Sequence, residues 1–166
     1  MKIRYATEAD LPAIVAIYNE SVPSHCSNAD TEPVSVESRR IWFARRDWAR
    51  RPIWVICDDP DGSVRGWISL CDFYGRPAYS GTAEINVYVT TEAHGRGYAG
   101  RLLAFALSQC HRLGIRHLLA LIFTRNQATI HLFEKGGFRR WGLLPRIARM
   151  GDADHDLAIY GLDIPE

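Results

Sequence analysis

The stretch Ala93-His94-Gly95-Arg96-Gly97-Tyr98-Ala99-Gly100 is a glycine-rich turn set between an apolar strand-like run, Ala83 to Thr90, and an amphipathic helix-like run, Arg101 to Leu113. It commits the middle of the chain to a strand, a tight turn and a helix. Glycines let the backbone fold closely enough to aim several N–H groups at one point, and the following helix adds the positive end of its dipole. A di- or triphosphate is the natural ligand of such an anion cradle.

At 166 residues the chain fits one domain, long enough to bury ~70% of its extended surface without staples. Twenty basic and 19 acidic residues leave a net charge of +1, which argues against bulk attraction to nucleic acid or to an anionic membrane. Cys26, Cys57, Cys71 and Cys110 are widely spaced with no C-x-x-C pair. That spacing speaks against a zinc ribbon or a secreted disulfide frame and for a reducing, cytoplasmic setting, with no metal expected. The first residues, Met1-Lys2-Ile3-Arg4-Tyr5, begin no long apolar run, so neither a signal peptide nor a membrane span is expected.

No repeat or low-complexity tract divides the chain. Ile3 to Ala6 reads as a short strand, and Thr7-Glu8-Ala9-Asp10 has capping-box spacing ahead of Leu11, Ile14, Val15 and Tyr18 at helical intervals. The polar segment Ser21 to Ser35 lacks periodicity. A second helix is expected from Val36 to Arg50, where Arg39, Arg40, Arg45 and Arg46 alternate with Ile41, Trp42 and Trp48. A solvated helix face is the expected state of those arginines. Ile53 to Cys57, the turn Asp59-Pro60-Asp61-Gly62 and Val64 to Cys71 make a strand, turn and strand. The loop Asp72 to Gly81 is rich in aromatic and turn residues. Gly114 stops the helix after the glycine turn, and His117 to Phe123 is a nearly continuous apolar strand. Asn126 opens another helix ending at Gly136-Gly137, and Phe138 to Leu144 and Leu157 to Ile164 are the last strands, joined by a loop over Pro145 to Asp156. The order βα-α-ββ-β-α-β-α-ββ is that of an α/β (α+β) domain with a mixed sheet, not a bundle or an all-β barrel.

Gly100 is followed by Arg101 and Leu102, so no Gly-Lys-Ser/Thr places a hydroxyl for magnesium, and Walker-type phosphoryl chemistry is not expected. Gly95, Gly97 and Gly100 do match Rossmann spacing. The turn nevertheless lies past the middle of a short chain, and Phe123-Thr124-Arg125 offers no acidic residue for a ribose.

His94-x-x-Gly97-x-Ala99 resembles the acetyl-CoA pyrophosphate loop of the GNAT superfamily of N-acetyltransferases. Phe73-Tyr74-Gly75-Arg76-Pro77-Ala78-Tyr79, Thr82-Ala83-Glu84-Ile85-Asn86-Val87-Tyr88-Val89, Leu132-Phe133-Glu134-Lys135-x-Gly137-Phe138 and Trp141-Gly142-Leu143-Leu144-Pro145 are similar to its phosphinothricin acetyltransferase-like branch. The resemblance covers essentially the whole chain. It implies a largely antiparallel central sheet flanked by helices, acetyl-CoA as co-substrate, a small-molecule amine acceptor and a homodimer. It also implies a cofactor contact set of Val87, Tyr88, Val89, His94, Gly95, Arg96, Gly97, Tyr98, Ala99, Gly100, Asn126 and Phe133. Two positions depart from the family. His94 stands where Arg or Gln is usual, and Phe133 stands where many relatives carry a Tyr or His thought to protonate the departing thiolate.

Acyl transfer to an amine needs a base, a donor to the thioester oxygen and an exit for the thiolate. Strand alternation sets Glu84, Asn86 and Tyr88 on one face and Ile85, Val87 and Val89 on the other. Glu84 matches the carboxylate this branch uses as general base. A carboxylate titrates near ~4.3 and an amine near ~10, so such a base acts from a buried site or through ordered water. Backbone at Val87 to Val89 matches the segment that binds the pantetheine arm, while Asn126 is either a cofactor contact or an N-cap. His131 lies roughly 200° around a helix from Phe133 and is expected to face elsewhere. His155, Tyr88 and solvent are other proton sources. For the acceptor, Arg76 would pair with a carboxylate or phosphinate and Tyr74 and Tyr79 would wall the side chain, with Glu84 beside them. Asp30, Thr31 and Glu32 line a pocket in relatives. The implied reaction is acetylation of phosphinothricin, methionine sulfoximine or a similar amino acid. Acetylation of another amine, such as a peptide N-terminus, and a CoA-binding module without turnover stay open.

Overall fold

A computed structural model describes residues 1–58 and 62–165, so the expected turn residues Asp59, Pro60 and Asp61 lie outside the described residues. The strands are β1 (Lys2–Tyr5), β2 (Ile53–Cys57), β3 (Val64–Asp72), β4 (Thr82–Val89), β5 (His117–Phe123), β6 (Arg139–Met150) and β7 (Ala153–Asp163). The α-helices are α1 (Leu11–Ser21), α2 (Val36–Ala44), α3 (Tyr98–Gln109) and α4 (Gln127–Lys135). One seven-stranded sheet runs β1-β2-β3-β4-β5-β7-β6, and among the described residues β4 and β5 form its parallel pair. The other neighbours are antiparallel. A parallel neighbour requires a crossover, which α3 supplies between β4 and β5.

Both faces of the sheet are covered, which explains why β2 reads Ile-Trp-Val-Ile-Cys without a polar residue and is buried throughout. Trp54 and Ile56 join Ile68, Leu70, Ile85, Leu102, Leu118 and Phe133 in a core on the α3 side. Ile53 and Val55 face the opposite way, into a second core with Leu11, Ile14, Ile17, Phe43 and Trp67 beneath α1 and α2. The same alternation continues on β4. Tyr88 stacks on Trp67 at 4.8 Å on the α1 side, whereas Ile85 and Val87 pack toward α3.

At Thr7 the backbone N–H and the hydroxyl both donate to Asp10 Oδ2, at 2.8 and 2.9 Å. The resulting 3-10 turn over Glu8–Asp10 starts α1. Arg4 forks onto the same carboxylate at 2.6 and 2.8 Å. Its hydrogen bonds hold the Asp10 carboxyl below the usual range, with burial opposing and Thr7 assisting.

Several expected boundaries move; the helix expected to run to Leu113 and stop at Gly114 ends at Gln109, with turns carrying the chain on to Gly114. The second helix stops at Ala44 instead of Arg50, because residues 45–51 close a series of turns capped by Asp47. The helix after the glycine turn begins at Tyr98, three residues early, with Gly97 as its left-handed N-cap at φ +83. Most of the expected loop over Pro145 to Asp156 is strand: Ala148↔His155, Arg149↔Asp154 and Met150↔Ala153 are paired around Gly151. Pro145 is tolerated there because the register slips between Leu144 and Ala148, on the edge strand, where its missing N–H breaks no ladder. Arg146, at φ +52, turns its own N–H onto Asp156 Oδ1 at 2.7 Å.

Candidate active site

β4 and β5 pair over only three positions, Thr82↔His117, Ala83↔Leu118 and Glu84↔Leu119. Past Glu84 the strands part. The gap opens into a cleft of about 840 Å3, with Ile85 to Val89 on one wall and Ala120 to Phe123 on the other. A strand that has lost its neighbour presents N–H and C=O groups along that edge, ready to pair with an extended ligand.

The glycine turn closes one end of this cleft. His94, Gly95, Gly97, Tyr98, Ala99 and Gly100 all border it. Gly95 and Gly97 need their glycine for φ values of +72 and +83. Gly100 has no such need, since it sits inside α3 without positive φ, and a Cβ built on it meets no protein atom within 4 Å. A helical glycine costs about 1 kcal/mol relative to alanine, and packing does not explain this one. It leaves bare backbone beside the helix N-terminus, facing the cleft.

Three side chains of the turn pack back on the protein itself. Tyr98 is 1% exposed and donates its hydroxyl to the Asp58 carboxylate, so what it offers the cleft is backbone. Arg96 lies over the Tyr98 ring at 5.5 Å and is not among the residues that border the cleft. His94 folds back, its Nε2 3.1 Å from Val89 O; a carbonyl only accepts, so Nε2 carries the proton. Glu20, from the end of α1, accepts from Thr90 Oγ1 at 2.8 Å, Thr91 N at 2.6 Å and Thr91 Oγ1 at 2.8 Å, which pins the corner before the turn. Burial pushes its carboxyl up, and these hydrogen bonds outweigh it, so the group stays ionised.

Asn126 does cap α4, Oδ1 accepting from Thr129 N at 3.1 Å, and it also borders the cleft. Its Nδ2 donates to Ser27 Oγ at 3.2 Å, while Tyr88 Oη donates to Ser27 O at 3.4 Å. Ser27 therefore bridges β4 and the start of α4 across the cleft. Nothing local in the polar segment Ser21 to Ser35 signals that bridge.

Phe133 is 2% exposed and packs edge-on to Phe138 at 4.9 Å, on the buried side of the cleft. His131 was expected to face elsewhere; it borders the same cleft from an exposed position, because α4 runs along the opening and presents more than one of its sides. His155 is buried against Phe123 and borders neither cavity. Burial, with nearby Tyr18 and Glu84, pushes the Tyr88 hydroxyl well above its ordinary range, so it keeps its proton at neutral pH.

A second cavity of about 190 Å3 shares Asn86 and Tyr88 with the cleft. Ile14, Val15, Tyr18, Val34, Trp42 and Trp67 supply most of its wall, with Arg39, Ser69 and Cys71 as further polar groups. Glu84 borders neither cavity; its Oε1 accepts from Asn86 Nδ2 at 3.2 Å, one residue behind this junction. Arg39 departs from the expected solvated helix face: its guanidinium stands over Tyr18 at 5.3 Å and Trp42 at 5.9 Å. Arg46 departs too, over Trp42 at 4.9 Å and donating to Leu70 O at 2.5 Å. Arg40 is on the surface as expected, paired with Glu8 and Glu37.

Tyr74, Arg76 and Tyr79 border neither cavity. Phe73, Tyr74 and Tyr79 pack on one another as an aromatic cluster, leaving Tyr74 77% exposed. The buried Arg51 anchors the base of this loop through Asp72, Ser80 O and Thr82 O. Asp30 accepts from Tyr18 Oη at 2.5 Å and Arg39 Nη2 at 3.1 Å, whereas Thr31 and Glu32 are exposed.

Comparison with known proteins agrees with this geometry. The family model "Acetyltransferase (GNAT) domain" matches residues 1–139. The chain is 45% identical over 164 residues to the Bacillus subtilis protein YwnH, covering 99% of each. It is 32% identical over 162 residues to the L-methionine sulfoximine/L-methionine sulfone acetyltransferase of Pseudomonas aeruginosa, covering 98% of this chain and 94% of that one. The crystal structure of a GNAT superfamily phosphinothricin acetyltransferase from Sinorhizobium meliloti in complex with AcCoA superposes with a TM-score of 0.92 at 28% identity, over 98% of this chain and 88% of that one. A sheet that parts beside a bare glycine turn, matched over the full chain by these relatives, makes the protein an acetyl-CoA-dependent N-acyltransferase of the GNAT family, in its phosphinothricin acetyltransferase-like branch.

Proposed function

We propose that the enzyme transfers an acetyl group from acetyl-CoA to the α-amine of a small amino acid of the methionine sulfone, methionine sulfoximine or phosphinothricin type. The observation that carries the donor half is the unpaired β4 edge leading to Gly100, whose missing Cβ opens onto the cleft and not onto protein. The residues present fit the co-substrate. Acetyl-CoA, when bound, supplies the acetyl group as a thioester; the chain binds, orients and moves protons around it. N–H groups of the turn from Gly95 to Gly100 hold the pyrophosphate, and backbone at Val87 to Val89 pairs with the pantetheine arm and donates to the thioester oxygen. Asn126 and the ring of Phe133 close the other wall.

Glu84, one hydrogen bond behind Asn86 at the meeting of the two cavities, takes a proton from the acceptor ammonium through water. Phe133 has no proton to give. Tyr88 borders both cavities, which favours its hydroxyl over the buried His155 as a donor to the departing sulfur. Burial, by raising its pKa, makes it a weak acid and leaves solvent to share the role. Chemistry here needs no metal. The whole chain acts as a single domain in the cytoplasm, in keeping with its four free cysteines, and pairs as a homodimer. Apolar Trp141, Leu143, Leu144 and Ile147 exposed on the edge strand β6 support that pairing.

Free-thiol release from acetyl-CoA across a panel of amines tests this reading. Saturable release with methionine sulfone or phosphinothricin is expected. Tight CoA binding without release on any acceptor would replace it with the non-catalytic alternative, and release only with peptide N-termini would replace the acceptor class.

A further inference from the structure

Among the described residues the second cavity is lined by one cationic group, and most of the other polar atoms on its wall are already engaged. Trp67 Nε1 donates to Ile14 O at 3.1 Å, Tyr18 Oη to Asp30, Tyr88 Oη to Ser27 O and Asn86 Nδ2 to Glu84. Ser69 faces the sulfur of Cys71 at 3.9 Å. Arg39 differs. A guanidinium carries five N–H donors, and a single hydrogen bond, Nη2 to Asp30 Oδ2 at 3.1 Å, is formed among the described residues. The guanidinium lies over the Tyr18 ring at 5.3 Å and the Trp42 ring at 5.9 Å, and aromatic faces satisfy the charge without consuming donors.

The cavity is polarised by where these groups lie. Asn86, beside Glu84, is shared with the donor cleft, so the acceptor amine belongs at that end. Arg39 enters from α2, across from the sheet, and the wall between is aromatic and aliphatic. A volume of about 190 Å3 holds roughly six water-sized groups, a short side chain and not a peptide.

We propose that Arg39 is the specificity-determining residue for the far end of the acceptor: it recognises an oxygen-bearing tetrahedral group, sulfone, sulfoximine or phosphinate, carried a few atoms from the amine. The assignment rests on the transfer reading above. Arg39, and not Arg76, is the arginine that borders the cavity beside Glu84.

L-Methionine sulfone, L-methionine and L-norleucine share one α-amine and one α-carboxylate and differ at the far end. The wild type is expected to favour the sulfone over norleucine in kcat/KM. A hydrogen bond to a charged partner is worth about 1.5–3 kcal/mol, roughly 10- to 100-fold. Arg39→Gln should remove most of that preference, lowering the sulfone value while leaving norleucine and the KM for acetyl-CoA within about threefold. Arg39→Lys, which keeps the charge, should recover part of it. If Arg39→Gln lowers all three acceptors equally, or leaves the sulfone preference intact, the proposal is overturned. Sulfone binding followed by fluorescence of Trp42 and Trp67 separates this from failure of the transfer reading. Arg39-dependent binding without CoA release would keep the recognition and discard the catalysis. No sulfone binding to the wild type would overturn the recognition, whatever the turnover.

Discussion

The cleft proposed for the donor and the cavity proposed for the acceptor meet at Asn86 and Tyr88 but are built from different material. On the donor side the working surface is backbone, an unpaired strand edge and a glycine turn at a helix N-terminus. On the acceptor side it is side chains from α1, α2, β3 and β4, with Arg39 held between Tyr18 and Trp42. A backbone site tolerates change in most side chains, which suits a donor common to a family. A site made of side chains can change its ligand by changing one of them, which suits the half that sets specificity.

Four measurements would break or sharpen this contrast. The largest effect is expected behind the junction, where Glu84→Gln should lower kcat at neutral pH by about 10²- to 10⁴-fold with the KM for acetyl-CoA little changed; unchanged turnover would remove Glu84 from the mechanism. Gly97→Val tests the donor side. A β-branched residue at φ +83 is strained by roughly 1–2 kcal/mol, and its side chain stands where the ligand backbone approaches, so CoA affinity by calorimetry should fall about 10- to 100-fold. Normal binding would refute the cradle.

Gly100→Ala gives a smaller but more discriminating result. Alanine in a helix is favoured over glycine by about 1 kcal/mol, so Tm should rise by roughly 2–4 °C, while acetyl-CoA affinity falls several-fold. A rise in stability without loss of affinity would mean that Gly100 faces empty solvent. Smallest at neutral pH is the scaffold control at Asp10. The carboxyl is held below its ordinary range chiefly by Arg4, so its contribution is present above the ordinary carboxylate pKa, about 4, and is lost as pH falls through the lower folded value. Acid titration of Tm should show that loss in the wild type and a shallower one in Asp10→Asn, with both KM values at neutral pH unmoved.

The same contrast explains what was legible in the sequence. The turn at His94 to Gly100, the alternation of β4 and the cap at Asn126 are local, contained in a few consecutive residues, and the structure bears each of them out as geometry. Arg39 read as one more arginine on a charged helix face, because its ring partners, Tyr18 and Trp42, come from α1 and from the next turn of its own helix. Ser27 sat in a segment without periodicity, and its bonds reach residues 61 and 99 positions away. The second half of β6, past Leu144, was hidden by Pro145, whose missing N–H reads as a loop signal until the register slip around it is known.

By itself the sequence determined the order of elements, the mixed sheet, the two faces of β4 and the glycine turn that opens α3. Each depends on the short periods of strand and helix and on glycine's freedom at φ above zero. Only the tertiary structure decided that β4 and β5 part after Glu84, that Arg96 leans away from the cleft, and that Arg39 closes a cavity which Arg76 does not reach. Those facts rest on contacts between segments far apart in the chain, and no local pattern carries them.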